Sequence, residues 1–340
     1  MNKISKLTSA VLLCLSSGVA SAALISVGVF NGNVGLSVDG IGSNAAAVGN
    51  VQANIPIGAT ILQAYLYSAG VPIGYSNRGP STLSAYNGSG ITLAGNPINN
   101  FDTLVGATGP SNIWKTARAD VTSIVQSLTA SAVTNNFSWA VTEGSLNNSI
   151  DGEILAIVYS HASRPLGSVA LLNGGQNTGG ETSFVNFASP LPDPTLSGFV
   201  AELGLGISFS CCNQSSVVKI NGTTITNNAG NFDDGLDLQN GSLITVGGLG
   251  DIAAINQSYA NDRELYDLRS FLKEGDDSLS IFSVNATNDD NIFFASLYIT
   301  AEIGSVTPEP INSVPVPAAL PLMASALGLG ALCRRRNNLF

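Results

Sequence analysis

Apolar residues fall in short runs rich in Val, Ile, Phe, Tyr and Thr: ALISVGVF, TILQAYLYSAG, FSWAVTEG, EILAIVYS, SVVKINGTTIT, SLSIFSV and IFFASLYIT. Between them stand Asn-Gly, Gly-Ser and Asn-Asn steps. Period-two runs bounded by turn residues predict strands. With 37 glycines among 340 residues, turns are frequent enough to keep those strands short. NGTT and NGSG place Asn-Gly where a hairpin turn would use it. Only ARADVTSIVQSL and YDLRSFL carry a helical pattern. The body is therefore expected to be all-β, of sandwich or jelly-roll type.

The pattern also repeats. SVGVFNG at Ser26 resembles SVALLNG at Ser168, and NGSGIT at Asn87 resembles NGTTIT at Asn221. DVTSIV at Asp120 resembles DLRSFL at Asp267, and DGEILAIVY, ending at Tyr159, resembles DNIFFASLY, ending at Tyr298. Four pairs in one order at nearly one offset predict two tandem β-sandwich domains, residues 23–162 and 166–304, with a seam at Arg164-Pro165. Asp120 and Asp267 each precede a helical piece and are expected to cap it by accepting its free N–H groups.

The ends follow other rules. Lys3 and Lys6, an apolar stretch from Ala10 to Leu15, and the small residues Ala20 and Ala22 make residues 1–22 a secretory signal peptide, handed to the Sec export machinery and cut after Ala22 or Ala23. At the other end, residues 305–317 are proline-rich and predict an extended linker. Residues 318–333 are apolar or small and, with the residues just before them, approach the length of a bilayer core. Arg334, Arg335 and Arg336 follow at once, in the last seven residues (334–340), as a cytoplasmic stop. This order, with Val314, Pro315, Val316, Pro317, Ala318 and Ala319 ahead of a Gly-rich apolar helix, resembles the PEP-CTERM class of sorting signal in its VPLPA-type variant. Val316 stands where that motif has Glu or Leu. The resemblance implies recognition by an exosortase, a membrane thiol transpeptidase that removes the tail, in Gram-negative bacteria that make exopolysaccharide. It further implies a protein that is transiently anchored in the inner membrane and then released or held at the surface. The body segments AYLYSAG, ADVTSIV, ILAIVYSHASRPLGSVALLNG and DDNIFFASLY resemble a group of bacterial surface proteins that carry this kind of tail and have no assigned activity.

Charge narrows the partners. The chain holds 13 basic and 23 acidic residues, a net charge of −10, and five of the basic residues lie in the two terminal segments. So acidic a body argues against nucleic acid and anionic lipid. Outside the termini only Cys211 and Cys212 remain, adjacent in SFSCC, so no disulfide framework holds the fold. They are a vicinal disulfide, an intermolecular pair or two buried thiols in a strand.

Candidate chemistry is sparse. His161 is the only histidine, in YSHASRP beside the seam, and reads as a surface loop residue rather than a catalytic base. Zinc is excluded by the ligand supply. Asp233, Asp234 and Asp237 in GNFDDGLDLQNG form the acidic cluster best suited to a hard cation such as calcium. Asp276, Asp277, Asp289 and Asp290 form lesser clusters that read as solvated turns. Among aromatics, Trp139, Tyr65 and Tyr67 sit at strand positions and are expected in the core. Tyr75 and Trp114 lie in loop-like surroundings and are candidates to stack on a ligand. No catalytic residue is assigned and no resident cofactor is required. The sequence thus points to an exported surface or extracellular-matrix protein, non-enzymatic, with a structural or adhesive role in exopolysaccharide or biofilm. A calcium-assisted carbohydrate-binding module is the alternative, and a polymer hydrolase the third reading.

Overall fold

The computed structural model describes residues 24–42, 48–70, 82–108, 114–146, 150–176, 179–208, 216–229, 265–284 and 291–308. The expected signal peptide, the sorting motif and tail from residue 309, Tyr75, Cys211, Cys212, Asp233, Asp234, Asp237, Asp289 and Asp290 lie outside them. The described chain is mostly β-sheet, as the period-two runs predict. Its strands form four antiparallel sheets. The first has the order β3 (Val48–Asn54), β9 (Asn136–Thr142), β5 (Thr92–Leu93), β6 (Asn96–Pro97). The second runs β2 (Val34–Gly42), β10 (Ile150–Ser160), β4 (Thr60–Gly70), β8 (Trp114–Asp120), β7 (Phe101–Thr108). The third runs β1 (Ile25–Gly32), β11 (Gly167–Asn173), β18 (Asn291–Ile299), β13 (Ala201–Ser208), β16 (Leu265–Asp267). The fourth runs β15 (Thr223–Ala229), β14 (Ser216–Ile220), β17 (Ser278–Val284), β12 (Glu181–Phe187), β19 (Ile303–Pro308).

Three apolar cores bridge the sheets in series. Val51, Trp139 and Val141 of the first sheet meet Leu66, Ala119, Leu155 and Ile157 of the second. On the second sheet's other face, Val34, Leu36, Tyr67, Ile154 and Val158 meet Val169, Leu171, Phe293, Phe294 and Tyr298 of the third. Ala170, Leu203, Leu205 and Leu297, on the far side of the third sheet, meet Val185, Val218, Ile220, Leu279 and Ile281 of the fourth. The second and third sheets are therefore buried on both faces. That is why EILAIVYS and IFFASLYI are nearly unbroken apolar runs, whereas β12 and β14 alternate buried and half-buried residues along their length.

Local signals translate unevenly into structure. ARADVTSIVQSL leads into the helix α2 (Thr122–Thr129), and YDLRSFL holds one 3-10 turn at Arg269–Phe271. A further short helix, α1 (Leu83–Asn87), has no helical pattern in the sequence to announce it. Asn221-Gly222 is indeed the β14–β15 hairpin turn, with φ of +50° and +77°. NGSG is not a hairpin turn: Asn87 ends α1 and Gly88 caps it. The corresponding hairpin, β5–β6, turns at Ala94-Gly95 with the same φ pair, +50° and +77°. An Ala at positive φ is uncommon, so the sequence conceals this turn.

Strand order recurs between the two halves. The order β3-β9-β5-β6 is matched by β12-β17-β14-β15, and β2-β10-β4-β8 by β11-β18-β13-β16. DVTSIV and DLRSFL occupy equivalent places, each leaving the strand at the end of that matched order. DGEILAIVY and DNIFFASLY lie on equivalent strands but one residue out of step. Tyr159 points into the first–second core and Tyr298 into the second–third, and a one-residue slip exchanges faces. SVGVFNG and SVALLNG are not equivalent at all: they form β1 and β11, which pair with each other, Phe30 opposite Val169. Thus β1, within the span expected for the first domain, is an edge of the third sheet.

Gly206 of β13 is a tight approach across the middle core. A Cβ built there would stand 2.3 Å from Ile154 Cδ1 and 3.0 Å from Phe294 Cβ. Gly206→Ala is expected to cost about 1–3 kcal/mol through overpacking. The cost should be smaller in an Ile154→Val background, which removes Cδ1; a double-mutant cycle by urea unfolding measures the difference.

Candidate functional site

The aromatic residues expected in the core are largely there. Trp139 is 8% exposed and Tyr67 fully buried, while Tyr65 packs half-buried against the middle core. Tyr86 is also internal and donates its hydroxyl to the Lys115 carbonyl at 3.1 Å. Trp114 is not in a loop: it opens β8, opposite Thr108 of β7. His161 sits in the turn before the seam, its Nδ1 within 2.6 Å of Ser163 Oγ. Asp276 lies in a turn, where its carboxylate accepts the Lys273 backbone N–H at 2.9 Å. Among the described residues no group of three or more His, Cys, Asp or Glu could hold a metal ion.

The outer face of the fourth sheet is the best candidate surface, and sequence reasoning missed it. Inward positions of β12 are Glu181, Ser183, Val185 and Phe187, so Thr182, Phe184 and Asn186 point out. By the same alternation Ser278, Ser280, Phe282 and Val284 point out from β17, and Val217 and Lys219 from β14. Registry arranges these in rows. Phe184 stands opposite Ser280 on one side and Thr307 of β19 on the other. Phe282 stands between Thr182 and Lys219, and the Lys219 ammonium lies 5.5 Å from its ring centroid. Two half-buried phenyl rings thus sit among hydroxyls, amides and one cation. Phe184 in ETSFVNF and Phe282 in SLSIFSV were visible as the out-of-phase aromatics of alternating strands.

The face runs into an open hollow of about 390 Å3 lined by Asn221, Thr223, Ser270, Lys273, Asp276 and Ser278, with Phe271. Asn221 fixes its wall: Nδ2 donates to the Phe271 carbonyl at 3.1 Å, and Oδ1 accepts the Ser280 N–H at 2.9 Å. The outer face of the first sheet is different. Asn50, Gln52, Asn54, Asn136, Ser138 and Thr142 make it polar, and no aromatic side chain points outward from its described strands.

A second cluster lies at the margin of the third sheet. Glu202 of β13 stands between Tyr298 and Asp267 in the cross-strand registry. The Arg164 guanidinium lies 5.2 Å from the Tyr298 ring centroid. Arg269 grips Asp267 with Nε at 3.0 and 2.9 Å and Nη2 at 2.5 Å, and its backbone N–H adds a fourth bond at 3.0 Å. The Asp120 equivalent accepts the Thr122 N–H at 2.9 Å, so both aspartates hold the turn that follows them. Burial pushes the Glu202 carboxyl up, and the neighbouring Asp267 charge adds to this. Arg164 and Arg269 oppose it, leaving the group at about 7. Asp267 is held below the usual carboxylate range, first by its hydrogen bonds from Arg269. For Asp120 burial acts upward, but hydrogen bonds from Thr122 and Gln63 and the Arg118 charge outweigh it. With both its oxygens engaged, Asp267 is an ion-pair anchor rather than a nucleophile, and burial favours the protonated form of Glu202 beside it.

Linkage gives the sign. In the unfolded chain a glutamate titrates near 4.3, so between that pH and about 7 the folded state holds the extra proton. Stability contributed by Glu202 is complete below the lower value and lost as pH rises through the higher. Glu202→Gln should therefore match the parent at pH 4.5 and be more stable at pH 8, by up to ~3 kcal/mol. Thermal unfolding across that range measures it, and parallel curves for the two proteins would contradict the assignment. No protein-family model, no curated protein and no solved structure matches this chain.

Proposed function

We propose an exported protein of the cell surface or extracellular matrix that works by binding polysaccharide, in a structural or adhesive role, rather than by turnover. One observation carries the reading: Phe184 and Phe282 lie on an open sheet face among hydroxyl and amide side chains. Such a face offers both the apolar contact and the hydrogen-bonding groups that sugars use. The signal sequence at Ala20 and Ala22 supports export through the Sec machinery. The VPVPA motif, apolar stretch and Arg334–Arg336 support sorting by an exosortase. We further propose that the body is a duplicated β-sandwich module, jelly-roll-like, whose two copies share the middle core. The recurring strand order supports this.

The purified protein should co-sediment saturably with the producing cell's own exopolysaccharide and leave the polymer's chain length unchanged. Binding should persist in EDTA, because the fourth-sheet face needs no cation. Loss of binding in EDTA would move the function to the calcium-assisted reading and to Asp233, Asp234 and Asp237. Shortening of the polymer would replace binding by hydrolysis.

A further inference from the structure

The fourth-sheet face has a charge pattern that narrows its ligand. The chain carries a net charge of −10, yet among the described residues no carboxylate points outward from β12, β14, β17 or β19. What points outward is Ser, Thr and Asn, two Phe, two Val and Lys219. Lys219 is one of only five lysines in the sequence, and its ammonium lies beside the Phe282 ring rather than forming part of a cationic row. A polyuronate or sulfated polymer would need several cations here, and would meet long-range repulsion from the rest of the molecule. An uncharged chain meets neither difficulty.

Geometry sets how such a chain would lie. Phe184 and Phe282 are diagonal neighbours on adjacent strands, roughly 7–8 Å apart at the backbone. The apolar C–H face of a pyranose can rest on each ring, whose face carries partial negative charge. From β19 to β15 the sheet is five strands wide, about 19 Å at 4.8 Å per spacing. Thr307, Ser280 and Thr182 flank the rings with hydroxyls. Beyond Ser278 and Asn221 the same surface opens into the 390 Å3 hollow, which could accept one further unit or a branch.

We propose that this face binds a neutral polysaccharide, laid across the strands with Phe184 and Phe282 as its two stacking platforms. The inference rests on the polysaccharide-binding reading above and names the class of polymer and the residues that hold it.

Affinity electrophoresis of the full protein in gels containing hydroxyethyl cellulose, curdlan or dextran, with alginate as the polyanion, tests it. At least one neutral glucan should retard the protein, insensitively to salt. Phe184→Ala and Phe282→Ala should each weaken that retardation about tenfold, the size expected for a central aromatic contact. Both side chains lie outside the apolar cores, so an unchanged thermal midpoint will show that the variants are folded. Retardation by alginate alone, abolished by Lys219→Gln or by salt, would overturn the neutral class. Glucan binding unchanged in the Phe184→Ala/Phe282→Ala double variant would overturn the site. If no neutral glucan retards a protein that still sediments with its native exopolysaccharide, this inference fails while the broader function stands.

Discussion

Everything in this molecule depends on the face-to-face contact between its second and third sheets. Each of these sheets already has one face committed to its own partner sheet. Burying the other face requires apolar side chains at nearly every position of β10 and β18, and a closely matched surface opposite. Tyr67, fully buried, fills the centre of that contact with its ring 5.1 Å from Phe294 and 6.2 Å from Phe293. Asn173 donates to its hydroxyl across the core at 3.4 Å. Aromatic pairs of this kind add about 0.5–1.5 kcal/mol beyond the burial of their area. Gly206 lets Ile154 approach where any Cβ would intrude. The β1 edge strand reinforces the union by taking residues from the first half of the chain into the sheet of the second half.

That constraint divides the surface by function. Among the described residues, with both inner sheets sealed, it is the outer faces of the first and fourth sheets, the sheet margins and the loops that meet solvent. Charged side chains at the margins of the inner sheets are held closely: Asp267 by Arg269, Asp120 by Thr122 and Gln63. At Glu202 burial outweighs the nearby arginines and raises the carboxyl to about 7. Among the described residues the outer faces are charge-poor, and of the two only the fourth sheet displays aromatic rings. A recurring strand order has thus yielded two exteriors with different chemistry.

Much of the fold was legible in the sequence. TILQAYLYSAG and SLSIFSV coincide with β4 and β17 because turn residues bound them tightly. The Asp120 and Asp267 turns were legible because a carboxylate ahead of a helical turn has one cheap role. Other features were hidden for physical reasons. The Ala94-Gly95 hairpin uses a residue that rarely adopts positive φ. SVGVFNG and SVALLNG look alike because both meet the demands of the same sheet, not because they hold equivalent positions in it. The stacking of four sheets was encoded in the unbroken apolar runs, but such runs alone do not say which surface covers the second face. The candidate site was the least legible part. Phe184 and Phe282 are ordinary strand residues until registry places them side by side and outward, and Glu202 is one glutamate in VAELGLG until Asp267 is set beside it.

The middle core should make the two halves one cooperative structure. Native-state amide hydrogen exchange tests this most directly, comparing β10 of the second sheet with β18 of the third across a series of urea concentrations. The slowest amides of both strands are expected to open with one free energy and one urea dependence, that of global unfolding. Two distinct free energies, with one strand exchanging fully while the other stays protected, would show that each half stands alone and that the middle core is only a contact between them.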